Sequence, residues 1–120
     1  LFLIYEGMFI LYFIGWEWIW RGYVIFGLLK HTGAAVAVLV QMIPFVILHY
    51  GKPLPETLGA IAAGIALGAL SVRTRSFWYA VLIHWSVMLT IDGLATLRYR
   101  AGVDGIGPDA LIAIFRALFP

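Results

Sequence analysis

The chain has 120 residues, 63% of them hydrophobic and 12% charged, with a net charge of +2. A soluble domain carries about a quarter charged residues, so the composition excludes a soluble globular domain and marks an integral membrane protein or a piece of one. The small positive charge gives no nucleic-acid footprint, and the absence of cysteine removes disulfides, iron–sulfur clusters and thiol nucleophiles.

The chain opens at Leu1, already inside an apolar run and without the charged segment and cleavage site of a signal peptide. An upstream portion of the protein is therefore expected. A helix needs about 20 residues to cross a bilayer, and four segments qualify. The first runs from about Leu1 to Leu29 and is interrupted by Gly7 and Gly15. The second, from about Ala34 to Tyr50, is at the short end. The third follows Pro53-Leu54-Pro55 and reaches about Val72; Pro55 suits a first helical turn. Its Ala60, Gly64 and Gly68 recur every four residues and leave a strip of nearly bare backbone for a close neighbour. The fourth follows Arg75-Ser76, with Ser76 a candidate N-cap, and ends near Leu97. A last stretch from Pro108 to Phe119 is too short to span and contains Arg116, so it reads as an interfacial or truncated helix.

The expected fold is thus an all-α integral membrane bundle of about four transmembrane helices plus a short C-terminal helix, forming one domain over residues 1–120. Apolar runs that do not alternate exclude a closed β-barrel. Short linkers make consecutive helices antiparallel neighbours. Basic residues do not decide the orientation: Lys30, Arg73 and Arg75 fall on one side, and Lys52, Arg98 and Arg100 on the other.

Charged and ionisable groups inside apolar sequence need a partner, a watery cavity or a function. Glu17 and Arg21, four apart, share a helix face and can pair. Gly22 leaves room beside them, and Trp16, Trp18 and Trp20 surround them. Phe45 and His49 lie one turn apart near the end of the second segment, where a histidine can simply face water. His84 is several residues inside the fourth segment. Asp92 follows two turns later, about 12 Å along an unbroken helix, too far to share a metal ion with His84. Glu17, His49 and His84 come from three helices. Such a set can activate water as a general base and stabilise an oxyanion, or hold zinc through two histidines and a carboxylate; either use produces hydrolysis. Simple antiparallel stacking nevertheless sets His49 off from the other two in depth by ~10 Å.

The order Trp-Glu-x-x-x-Arg-Gly (Trp16 to Gly22), Phe-x-x-x-His (Phe45 to His49), a Gly/Ala-rich helix, Arg-Thr-x-Ser-x-Trp (Arg73 to Trp78) and an intramembrane His84 resembles the CPBP family. These are the CAAX-protease and bacteriocin-processing intramembrane endopeptidases, also called Abi proteins. The resemblance spans about Ile14 to Asp92. Members typically read Glu-Glu-x-x-x-Arg, Phe-x-x-x-His and His-x-x-x-Asn or Asp. The resemblance therefore implies site roles for Glu17, Arg21, His49 and His84. Trp16 stands where the first glutamate belongs and Met88 where the Asn or Asp belongs, with Asp92 one turn further on.

The resemblance implies peptide-bond hydrolysis in membrane-associated substrates. Glu17 and His49 would activate water, Arg21 would orient Glu17, and His84 would stabilise the oxyanion or join Glu17 and His49 in binding zinc. Trp16, Phe45, Met88 and Asp92 would line the cavity or support it. Two other readings stay open: an inactive relative that binds a membrane peptide or partner, and a transporter or channel fragment, against which the lack of an inverted repeat argues mildly. The small chain suggests the bacterial cytoplasmic membrane.

Overall fold

In lipid every backbone N–H and C=O must be satisfied within the protein, so long apolar segments fold as helices. The computed structural model describes residues 1–105 and 107–119. They form helices α1 (Phe2–Leu29), α2 (Ala34–Ile47), α3 (Leu54–Thr74), α4 (Trp78–Ala101) and α5 (Pro108–Leu118). The protein is an all-helical integral membrane protein: α1, α3 and α4 are long and apolar enough to span, and α2 is a shorter apolar helix.

Two compact units are present, Leu1–Trp85 and Ser86–Pro120. The first contains α1, α2, α3 and the opening turns of α4. In the second, α5 buries Ala110 and Ile114, one turn apart, and carries Asp109 in its first turn and Arg116 in its last. Those charges oppose the partial charges at the helix ends.

The closest helix pair in the first unit is α2 with α3. The small-residue strip explains it: Ala60, Gly64 and Gly68 are buried. A Cβ at Gly64 would meet Met42 Cγ at 2.9 Å, and one at Gly68 would meet Gln41 Nε2 at 3.0 Å and Val38 Cγ1 at 3.1 Å. Pro55 lies in the first turn of α3, as its fixed φ favours.

Helix α2 ends at Ile47, three residues short of the expected Tyr50. Pro44 has no N–H and removes one bond from the last turns. Beyond it the backbone tightens, with His49 N–H donating to Val46 O (2.9 Å) and Tyr50 N–H to Ile47 O (3.0 Å). Helix α3 ends at Thr74 and is capped by Arg75, which has φ +53°, while Ser76 N–H donates back to Ser71 O at 3.2 Å. Helix α4 starts at Trp78, so Ser76 sits just ahead of it, and its Oγ accepts the Trp78 N–H at 3.3 Å.

Candidate active site

One row of α1 faces inward: Phe13, Glu17, Arg21 and Ile25, all buried and each four residues from the next. In a regular α-helix four residues overshoot a full turn by about 40°, so such a row should wind off its face. It does not, because residues Trp18–Val24 are π-helical. Bonding from i to i+5 puts more residues in each turn and cancels the drift.

Within this row Arg21 Nη1 donates to Glu17 Oε1 at 3.2 Å, and both side chains are fully buried. The same oxygen lies 2.6 Å from His84 Nδ1 on α4. A carboxylate oxygen already shared with a guanidinium is an acceptor, so Nδ1 of His84 donates, and in the neutral ring the lone pair lies on Nε2. Glu17 Oε2 and the Arg21 Nε and Nη2 groups are buried and make no hydrogen bond within the described residues.

Phe45 connects the remaining members. The Arg21 guanidinium carbon lies 4.1 Å from its ring centroid, a cation–π contact. Centroid distances from Phe45 are 4.6 Å to His49, 6.0 Å to His84 and 6.1 Å to Trp16. His84 also rests on Phe13 at 4.5 Å. His49 follows the end of α2, and its Nδ1 turns back to the Phe45 carbonyl at 2.7 Å. A carbonyl only accepts, so His49 likewise holds a proton on Nδ1, which in the neutral ring leaves the lone pair on Nε2. The fold therefore brings Arg21, His49, His84 and Trp16 around one aromatic ring, and Glu17 is bonded to two of them, Arg21 and His84.

Trp16 is half-buried, and its Nε1 is buried without a hydrogen-bond partner. Met88 and Asp92, also half-buried, lie on α4 in the second unit. Among the described residues no three His, Cys, Asp or Glu side chains converge as a metal-binding group. Glu17, His49 and His84 thus share a neighbourhood without forming a three-ligand set.

Sequence reasoning passed over Gln41, Ser71 and Glu6, all fully or almost fully buried. Gln41 Nε2 donates to Val38 O at 3.1 Å and to Gly64 O at 2.7 Å, tying α2 to the backbone of α3 where the glycine strip exposes it. The Glu6 carbonyl accepts the Trp85 indole N–H at 3.0 Å, a second bond from α1 to α4. The signal was available: Gln41 is the polar interruption of an apolar helix, and Glu6 lies eleven residues, about three turns, before Glu17.

A protein-family model described as "Type II CAAX prenyl endopeptidase Rce1-like" matches residues 1–90. The chain belongs to the Rce1-like family. It is therefore a member of a family of proteases. The Rce1-like match includes Trp16, Glu17, Arg21, Phe45, His49, His84 and Met88 and stops short of Asp92. No curated protein and no solved structure matches the chain.

Proposed function

We propose that this Rce1-like protein is an intramembrane endopeptidase that hydrolyses peptide bonds of membrane-associated substrates. The division of labour on Glu17 carries the reading. Its Oε1 is anchored by Arg21 and His84, while Oε2 is buried and makes no hydrogen bond within the described residues. A carboxylate held at one oxygen and open at the other suits a general base.

In this mechanism Glu17 Oε2, assisted by the basic Nε2 of His49, takes a proton from water. The resulting hydroxide attacks the carbonyl carbon of the scissile bond. His84, held at Nδ1 by Glu17 and entering the reaction as the imidazolium, donates its Nε2–H to the oxyanion and keeps that proton, and Arg21 keeps Glu17 oriented. Collapse breaks the C–N bond as the abstracted proton passes to the leaving nitrogen. The family name suggests peptides ending in a prenylated cysteine motif as the first substrates to try.

A specific observation favours a second reading. Trp16, at the position of the first family glutamate, lies against Phe45, which fits an inactive relative that binds membrane peptides without cutting them. The test is cleavage of a fluorogenic prenylated peptide by the protein in liposomes. Turnover by wild type and its loss in Glu17→Gln, with the fold retained, sustains the protease. Saturable binding without cleavage in both proteins selects the second reading. A zinc chelator then separates the routes: unchanged turnover supports glutamate-driven hydrolysis, and its loss assigns the histidines to a metal.

A further inference from the structure

Two adjoining surface grooves are lined by none of Glu17, Arg21, His49 or His84. One, of about 710 Å³, is lined by Tyr23, Phe26, Gly27, Lys30, His31 and Val40 among others. The other, of about 430 Å³, is lined by Trp18, Phe26, Arg75, Ser76, Phe77 and Trp78 among others. They share Gly22, Tyr23 and Phe26, so the outer face of α1 is a wall common to both. Each is lined mainly by apolar side chains and has a cation in its lining: Lys30 in one, Arg75 in the other.

Charge and backbone both distinguish this end of the first unit. Lys30, Arg73 and Arg75 have no ion-pair partner among the described residues, whereas Lys52 is paired with Glu56. Arg75 also adopts φ +53°, a left-handed conformation at a helix end where glycine is the usual occupant. Holding an arginine there strains the backbone, at a position where glycine would be relaxed. Trp18 and Trp78, both exposed, add the indole rings that favour the level of lipid headgroups.

We infer that the paired grooves bind an anionic phospholipid, with its acyl chains along Tyr23 and Phe26 and its phosphate between Lys30 and Arg75. An apolar trough with unpaired cations and bordering indoles complements that ligand, and a basic pocket between helices is a recurrent headgroup site.

The purified full chain in detergent is titrated with phosphatidylglycerol and with phosphatidylcholine, and retained lipid is counted by native mass spectrometry. Wild type should retain phosphatidylglycerol about tenfold better. Lys30→Gln with Arg75→Gly should bring the two lipids to parity. Glycine relieves the strained φ, so this variant should melt no earlier than wild type. Lys30→Arg, which keeps the charge, should keep the preference. Equal retention by wild type overturns the inference, as does a preference that survives in the double variant. Displacement of the lipid by millimolar inorganic phosphate would reduce the site to a phosphate site and also overturn it. If the double variant unfolds, Arg75→Gly alone decides, by whether it weakens the preference.

Discussion

His84 Nδ1 lies 2.6 Å from Glu17 Oε1, joining residues 67 apart in sequence and two different helices. The contact makes the proposed base and the proposed oxyanion stabiliser one unit. Glu17→Gln and His84→Ala should each lower single-turnover cleavage by about 10²–10⁴-fold. The double variant should be little worse than either, because residues acting as a unit are strongly non-additive. Cleavage in liposomes across the mutant cycle measures this.

The Glu17–Arg21 pair should reveal its cost of burial. Arg21→Met leaves the carboxylate without its guanidinium and should destabilise by about 3–5 kcal/mol. Combining it with Glu17→Gln removes the stranded charge and should recover a large part of that loss. Reversible unfolding in mixed detergent micelles gives both values.

Glycines that look alike in sequence should answer differently. A side chain at Gly68 would press on Gln41, Val38 and Ile25, so Gly68→Val should destabilise by about 1–3 kcal/mol. At Gly22 an added Cβ meets Trp18 and Phe77 at 3.5 Å and 3.6 Å, ordinary contact distances. Gly22→Ala should stay within about 0.5 kcal/mol of wild type. Parallel thermal unfolding compares them.

The helical segments and the glycine strip were legible because hydrophobic run length and small-residue spacing are local properties. The Glu17–Arg21 pair was legible for the same reason, being written in an i,i+4 spacing. What brings His84 to Glu17 was not, since it depends on how α4 packs against α1. Nor was the π-helical stretch, which keeps Phe13, Glu17, Arg21 and Ile25 on one face although ideal α-helical spacing would turn them away. The contact of His49 with Phe45 was not legible either, since simple antiparallel stacking sets His49 near one surface and says nothing of where its ring turns. In the fold α2 stops at Ile47, and the ring turns back to the Phe45 carbonyl. Gln41 escaped notice because a lone amide carries no charge, yet it spans α2 and α3.

Trp16 offers a gain-of-function test. Trp16→Glu supplies the carboxylate of the family pattern beside Phe45 and should raise cleavage by about 10²-fold, within the range of a positioned general base. Turnover is compared at equal amounts of folded protein, judged by size-exclusion profile.

The 14 residues of α2 extend only about 21 Å, against a hydrocarbon layer about 30 Å thick. A helix that falls short of its bilayer draws the headgroups inward around its ends. His49 sits in the turn that follows this end of α2. Local thinning at the end of α2 would bring bulk water down to the His49 imidazole. The proposed protease would have to import one water molecule per bond cut, and a depression at the short helix would be the route by which it arrives.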